Sequence, residues 1–230
     1  GNGGFGYGMG TYRGTMAGVP HFRNVKFDGR YPEAVLEFQD EHFPGTVKLK
    51  AFNPFIPLND KDSSIPSAFF EISFTNTGEK TGTYTAYFAM NNLLPYATTR
   101  NTLKKKGEYT AIYMDSTLFK EEELQFGNFC IATDASMACG QEYWYRAEWF
   151  DSMETYWRDL HVPGALKQRH YDTELRKLEK VTEYDGEDMG TLAAAVEVQP
   201  GQTKIVRFVL SWYFPNCTNY WNPEKEKEKP

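Results

Sequence analysis

The sequence lacks long apolar runs and has no excess of positive charge. No stretch approaches the ~18 consecutive apolar residues that a membrane-spanning helix needs, so no transmembrane segment is predicted. With 25 basic and 31 acidic residues the net charge is −6, so no positive field is available to neutralise a phosphate backbone, which excludes nucleic acid as a partner. The chain starts at Gly1 without Met, as expected for a piece of a longer protein. The lack of a leader therefore leaves its compartment open.

Cysteine and histidine are also scarce. Cys130, Cys139 and Cys217 are too few for a disulfide framework and form no CxxC pair; a Cys130–Cys139 bridge and two separate thiols remain as alternatives. The four histidines lack HxH or HExxH spacing, so no metal site is predicted. A formal GxGxxG match at residues 1–6 has no strand before it and no amphipathic helix after it, which indicates a flexible loop. No cofactor is therefore predicted.

Apolar residues that alternate with polar ones dominate the rest of the chain. Hydrophobic residues make up 40% of it and aromatic residues 16%, enough for a folded core. The period of two predicts strands over 34–38, 47–52, 70–74, 84–90, 112–114, 129–132, 192–198 and 205–214, with a turn at 199–202. Because no βαβ alternation occurs, we expect a mainly β fold over residues 1–222, an antiparallel sandwich or barrel. The charged residues 223–230 are expected to be a poorly ordered tail.

One segment departs from this pattern. Between residues 144 and 161 apolar residues recur every three or four positions before Pro163 and Gly164, which predicts a short helix. The same segment concentrates aromatic rings, and Trp144, Trp149 and Trp157 are its candidate contact residues. Two interpretations stay open, because flat rings can stack on the apolar faces of sugars or pack in a core or an interdomain contact.

Acidic residues are abundant but show no catalytic pattern. Among 31 of them, some pair will always lie at the separation that glycosidases use, so abundance alone indicates nothing. Acids of the aromatic segment are expected to be surface groups: Glu148, Asp151, Glu154 and Asp159. The chain also lacks a GxSxG elbow, an SxxK motif and a recognisable Cys/His arrangement. No catalytic residue is therefore predicted in this chain.

Two motifs stand in a specific order, Phe-Asn-Pro-Phe-Ile-Pro at 52–57 and Asp-Ser-Ser-Ile-Pro at 62–66. Further landmarks are Asn76, the Leu-Ala-Ala at 192–194, the turn at 199–202 and the Phe-Val-Leu-Ser-Trp-Tyr-Phe-Pro at 208–215. In these features the chain resembles the N-terminal domain of glycoside hydrolase family 116. This family includes non-lysosomal glucosylceramidase and bacterial β-glucosidases.

The two motifs are predicted to be architectural. Their structural residues are Pro54, Phe55, Pro57, Asp62, Ser63, Ser64 and Pro66. The prolines lack an amide donor, so the segment can cross the edge of a sandwich without exposing pairing groups. The acid and the two serines are expected to bond nearby backbone amides and fix the shape of the crossing. Phe52, Phe55 and Phe69 are expected to fill the core beneath.

The resemblance implies a two-domain parent protein. Its N-terminal part would be a large β-sandwich of the supersandwich kind with one or two short helices. This sandwich would pack on a C-terminal (α/α)6 barrel that carries a Glu nucleophile and an Asp acid/base for retaining hydrolysis of β-glucosides. Because the barrel is absent from this chain, no catalytic residue is carried over. The predicted function is a noncatalytic module that partners this barrel. The alternative is a free-standing module that binds carbohydrate.

Overall fold

The computed structural model describes Met16, Trp221 and residues 19–95, 98–145, 152–162, 164, 166–171 and 188–218. These residues form eleven strands and two short helices. The strands are β1 (Asn24–Arg30), β2 (Glu33–Gln39), β3 (Gly45–Phe52), β4 (Ser67–Asn76), β5 (Gly82–Asn91), β6 (Thr99–Lys106), β7 (Tyr109–Ser116), β8 (Asn128–Thr133), β9 (Met137–Gln141), β10 (Met189–Val198) and β11 (Thr203–Tyr213). The helices are α1 (Asp60–Ser63) and α2 (Ser152–Leu160).

The strands form two antiparallel sheets that pack face to face. The larger sheet has eight strands in the order β1-β2-β3-β4-β11-β8-β7-β6, and the smaller has three in the order β5-β10-β9. Phe88 of the smaller sheet lies between the sheets, with its ring centroid 5.1 Å from that of Phe70 and 5.7 Å from that of Phe208. The predicted antiparallel β-sandwich with one or two short helices is confirmed.

Each of the eight predicted strands corresponds to an observed one, and the predicted helix to α2. Four further elements were not predicted from the sequence pattern: β1, β6, β9 and α1. β1 alternates Val25 and Phe27 with charged residues, so its signal was present in the sequence. β6 ends in three lysines and lies at the edge of its sheet, where charged residues discourage pairing with other chains. β9 has only five residues, too few to show a period.

The two faces of the eight-stranded sheet differ in chemistry. Its inner face supplies Ile112, Met114, Ile131 and Phe208, each at most 1% exposed, to the core between the sheets. Its outer face carries ion pairs between neighbouring strands: Glu37–Lys48 at 3.8 Å, Glu33–Lys50 at 2.5 Å and Glu71–Arg207 at 3.0 Å. The outer face is therefore polar and suited to contact with water, and the inner face is suited to apolar packing.

Asn76 joins the two sheets at one end of the sandwich. Its side-chain amide, which is 1% exposed, donates to the carbonyls of Lys80 and Val198 at 2.8 Å each. Its carbonyl oxygen Oδ1 accepts from the Gly78 amide at 2.8 Å. Its backbone bonds to the turn at 199–202, where Gly201 adopts a φ of 71°. One side chain thus holds the β4–β5 connection against the β10–β11 turn.

The position of the proline-rich motif corrects two expectations. Residues 53–66 connect β3 to β4, which are neighbours in one sheet, so this segment does not cross between sheets. The rings of Phe52 and Phe69 stack 5.5 Å apart on the outer face, because they alternate with the inward Ala51 and Phe70. Phe55 is 49% exposed and lies outside the core. The three rings therefore do not fill the interior.

The remaining sequence expectations concern thiols and the membrane. Cys130, Cys139 and Cys217 are free, so the alternative of a Cys130–Cys139 bridge is wrong. Burial raises the pKa of the Cys130 thiol. No helix among the described residues is long and apolar enough to cross a membrane.

Candidate functional site

The aromatic segment packs on the smaller sheet, on the side away from the core. Trp144 lies directly on Tyr156 of α2, with ring centroids 3.6 Å apart and planes 22° apart. Trp144 is 3% exposed, Tyr156 2% and Met153 4%. Half-buried apolar residues surround this Trp144 cluster: Met16, Val19, Ala89, Leu160 and Met189. The cluster is a second small core, and it fixes α2 to the sheet.

Hydrogen bonds determine the position of this small core. The Trp144 ring nitrogen Nε1 donates to Thr191 Oγ1 on β10 at 2.8 Å. The Tyr87 hydroxyl on β5 donates to the carbonyl of Leu160, the last residue of α2, at 3.1 Å. Helix α2 is therefore tied to β5 by a hydrogen bond, and it packs on the sheet through the apolar contacts of the Trp144 cluster.

The structure separates the three candidate tryptophans. Trp144 is inside the domain, so its ring offers no face to a sugar or to a second domain. Trp157 is half-buried on α2, and its ring meets the ring of His161 edge-on with centroids 4.9 Å apart. Trp149 lies outside the described residues. Of the two interpretations left open, core packing therefore holds for Trp144, and this ring is excluded as a contact residue.

The buried Tyr156 hydroxyl predicts a loss of stability at alkaline pH. Burial raises its pKa to about 12, above the value of ~10 for an unfolded chain. The folded state therefore holds the proton more tightly, and this contribution to stability is complete below pH ~10 and is lost as pH rises towards ~12. We expect the free energy of unfolding to fall by about 2–3 kcal/mol across that window from this residue alone. Urea unfolding between pH 9 and 12 measures the fall.

Two variants separate Tyr156 from other tyrosines. Tyr156→Phe keeps the stacked ring, so its curve should fall less steeply than that of the unchanged protein. Tyr31→Phe alters a tyrosine that is 82% exposed and should leave the curve unchanged. Parallel curves for the Tyr156→Phe variant and the unchanged protein would contradict the assignment.

A largely buried ion pair joins α2 to the segment that follows it. Asp159 near the end of the helix meets Arg169 with Oδ2 2.7 Å from Nη1, and the two side chains are only 9% and 10% exposed. Gln141 of β9 donates from Nε2 to the same Asp159 oxygen at 2.9 Å and to the Lys167 carbonyl at 2.6 Å. The carboxylate thus joins the helix, the sheet and the segment 166–171.

The described acidic residues of the aromatic segment form ion pairs. Glu154 pairs with Arg158 at 2.6 Å on the exposed side of α2. The Asp159 side chain is only 9% exposed and pairs with Arg169, so it is not the freely exposed surface group that was expected. Glu148 and Asp151 lie outside the described residues. Among the described residues no group of three or more His, Cys, Asp or Glu side chains could hold a metal ion.

The motif segment forms an ordered loop at one end of the large sheet. Asn59 caps α1, because its Oδ1 accepts from the Asp62 amide at 3.1 Å. Ser63 Oγ accepts from the Ile56 amide at 2.9 Å and donates to the Ile56 carbonyl at 3.1 Å. Ser64 Oγ donates to a carbonyl, that of Lys61, rather than accepting from an amide. Internal bonds therefore hold the loop in one shape.

The loop is also tied to the sheet. The Trp212 amide of β11 donates to the Pro66 carbonyl at 3.1 Å. The Asn53 side-chain amide donates to the Ser67 carbonyl at the start of β4. Pro54 is half-buried between these anchors, whereas Pro57 is exposed. The loop is fixed at both of its ends.

This ordered loop presents apolar side chains to solvent. Leu58 is fully exposed at a φ of 64°, and Phe55, Ile56 and Ile65 are between 41% and 49% exposed. The ring of Phe55 meets the ring of Tyr31, from the β1–β2 turn, with centroids 5.1 Å apart. We call the apolar side chains Tyr31, Phe55, Ile56, Leu58 and Ile65 the motif patch. Exposed apolar groups on a rigid loop are typical of a contact surface.

The fold defines the chain as an antiparallel β-sandwich module. A family model described as beta-glucosidase 2, glycosyl-hydrolase family 116 N-term, matches residues 8–229. The chain therefore belongs to the family of glycoside hydrolase family 116 N-terminal domains. The search of curated proteins found no match.

Solved structures also match, 55 chains in all. One is provisionally described as a kojibiose phosphorylase from the human microbiome; identity is 9%, the TM-score is 0.34, and the match covers 79% of this chain and 17% of that one. Another is provisionally described as an aldose 1-epimerase from Escherichia coli K12; identity is 9%, the TM-score is 0.35, and the match covers 83% and 68% of the two chains. This chain thus spans less than a fifth of the length of the first of these proteins.

Proposed function

We propose that this chain is the noncatalytic N-terminal module of a β-glucosidase-like or glucosylceramidase-like glycoside hydrolase. In this proposal residues 1–222 are one sandwich domain that packs on a C-terminal (α/α)6 catalytic barrel. The barrel would supply both catalytic carboxylates of a retaining β-glycosidase, and the sandwich would buttress it. Family membership supports the N-terminal position and the glycoside hydrolase context.

The motif patch is the observation that carries the packing part of this proposal. Its side chains stay exposed although the loop beneath them is fixed by hydrogen bonds at Asn59, Ser63 and Pro66. An isolated domain gains nothing from ordering apolar side chains in water, since each costs conformational entropy and stays hydrated. A second protein surface that covers the patch would recover both costs.

The proposal predicts binding between this chain and the separately expressed C-terminal part of the parent. Isothermal titration calorimetry should show saturable 1:1 binding with a negative heat-capacity change, the signature of apolar burial. Phe55→Ser combined with Leu58→Ser should weaken binding about tenfold or more. The matched control is Tyr109→Ser, because Tyr109 is 53% exposed at the opposite end of the same sheet.

Two other results would contradict the proposed function. Saturable quenching of tryptophan fluorescence by cello-oligosaccharides, without binding to the C-terminal part, would support the alternative of a carbohydrate-binding module. Hydrolysis of an aryl β-glucoside by the purified chain, abolished by one Asp or Glu substitution, would overturn the noncatalytic role.

A further inference from the structure

The two ends of the large sheet carry different side chains. At one end the turns 40–44, 77–81 and 107–108 expose charged residues: Glu41, Glu79, Lys80 and Glu108. The motif loop lies at the other end, together with the β7–β8 loop and the last residues of β11. Large apolar side chains are exposed there as well: Leu118, Leu124, Trp212, Tyr213 and Phe214. We call these five residues the exit patch, because the chain leaves the sandwich among them.

The chain leaves the sandwich along a fixed path. After β11 the ring of Phe214 packs on the ring of Phe129 in β8, with centroids 5.1 Å apart. The Asn216 side chain then donates from Nδ2 to two carbonyls of the β7–β8 loop, that of Glu121 at 2.6 Å and that of Glu123 at 2.8 Å. The direction of the chain is therefore set by contacts as far as Asn216.

Hydrogen bonds also order the β7–β8 loop, which carries Leu118 and Leu124. The Leu118 amide donates to Ser116 Oγ at 3.1 Å, and the Lys120 amide donates to Glu123 Oε2 at 2.6 Å. Leu118 is nevertheless 50% exposed and Leu124 47%. An ordered loop that holds leucines in water pays conformational entropy without apolar burial, and a partner that covers them recovers that cost.

The exit patch adjoins the motif patch. The Trp212 amide of β11 donates to the Pro66 carbonyl at the end of the motif loop, at 3.1 Å. The next residue, Tyr213, pairs with Asn128 at the start of β8 on the other side of β11. The end of β11 thus lies between the motif loop and β8, with exposed apolar side chains on both sides. The two patches together form one apolar region at this end of the sandwich.

The path of the chain indicates what covers the exit patch. The matching family model is that of an N-terminal domain, and it ends at residue 229. Only about a dozen residues separate Thr218 from that position, a length that spans at most about 40 Å when fully extended. A domain that follows in the parent is therefore tethered close to the exit patch. Such a short tether gives this domain a high effective concentration at the patch, which a separate protein lacks.

From these contacts we infer that the exit patch is a docking surface for an apolar face of the parent's C-terminal catalytic domain, which covers Leu118, Leu124 and Tyr213. The inference rests on the proposed function and deepens it, because it adds a second contact region beside the motif patch. Asn216 is a positioning residue in this contact, since it anchors the departing chain on the loop that carries the two leucines. The catalytic domain then meets both sides of the end of β11.

Hydroxyl-radical footprinting tests the coverage by comparing this chain with the intact two-domain parent. Leu118, Leu124 and Tyr213 are exposed in this chain, so they should be oxidised readily here and severalfold more slowly in the parent. The matched control is Tyr109, which is 53% exposed at the opposite end of the sheet and should react equally fast in both samples. Both samples contain residues 1–230, so a difference reports a contact made by the rest of the parent.

Photo-crosslinking in the intact parent identifies the covering surface. A benzophenone side chain replaces Leu124 in one variant, Phe55 in a second and Tyr109 in a control, and mass spectrometry locates the crosslinks. We expect the Leu124 and Phe55 positions to crosslink to residues within the folded catalytic domain, and the Tyr109 position to give no such crosslink. Both test positions lie at the surface of the sandwich, so the substitutions leave its core intact.

The other outcomes separate this inference from the proposed function. Protection and crosslinks at the Phe55 position alone would overturn the exit patch as a docking surface and leave the proposed packing intact. Neither protection nor crosslinks at either position would overturn both. Crosslinks from the Leu124 position to a second copy, or only to residues of this chain itself, would overturn the catalytic domain as the occupant.

The positioning role of Asn216 has its own readout. Asn216→Asp removes the Nδ2 donor and sets a carboxylate beside two carbonyl oxygens. In the intact parent this variant should lose most of the footprinting protection at Leu118 and Leu124. Asn24→Asp makes the same change at an exposed position at the opposite end of the sheet and should keep that protection. Full protection in the Asn216→Asp parent would show that Asn216 does not position the contact.

Discussion

Replacing Trp144 by alanine is expected to lower the free energy of unfolding by about 3–5 kcal/mol. The side chain is 3% exposed and stacks on Tyr156, so the change leaves a cavity between α2 and the smaller sheet. The change also leaves Thr191 Oγ1 without the donor that it accepts from at 2.8 Å. Chemical denaturation followed by far-ultraviolet circular dichroism measures the loss.

Two comparisons make this prediction specific. Trp144→Phe keeps a stacked ring but not the Nε1 donor, so it should lose less stability than Trp144→Ala. Phe55→Ala removes a ring of the motif patch that is 49% exposed, and we expect a change below about 1 kcal/mol. Equal losses for Trp144→Ala and Phe55→Ala would show that Trp144 is not an interior residue.

The local pattern of the sequence was sufficient to predict the fold class. Alternation is a property of neighbouring residues, so strands such as β4, with Phe70, Ile72 and Phe74 on one face, can be read without knowing their partners. The order of the two motifs was sufficient to predict the family. The same pattern in β1 was overlooked because charged residues outnumber its two apolar ones.

The placement of aromatic side chains could not be read in the same way. Trp144 and Phe55 both lie in ring-rich segments, yet one is buried and the other half-exposed. The difference depends on what packs against each segment, which is set by residues distant in the chain such as Thr191 and Tyr31. Periodicity predicts which face a residue occupies but not how much of that face a small partner sheet will cover.

No sequence pattern indicated that Asp159 pairs with Arg169. Breaking this ion pair is the second change for which we expect a large loss of stability. Arg169→Ala should lower the free energy of unfolding by about 3 kcal/mol, the lower end of the ~3–5 kcal/mol typical for breaking a buried pair. The value lies at the lower end because Gln141 still donates to the remaining carboxylate at 2.9 Å. Urea denaturation at neutral pH, with α2 followed by tryptophan fluorescence, measures the loss.

The reason for this loss is the charge left behind, and two variants test that reason. Adding Asp159→Asn to Arg169→Ala removes the unpaired buried charge, so the double variant should recover part of the lost stability. Arg158→Ala breaks the Glu154–Arg158 pair on the exposed side of the same helix and should change stability by no more than about 0.5 kcal/mol. If Arg169→Ala were as mild as Arg158→Ala, the ion pair would not hold α2 to the sheet. The helix would then depend on the Trp144 cluster and on the hydrogen bond from the Tyr87 hydroxyl to the Leu160 carbonyl.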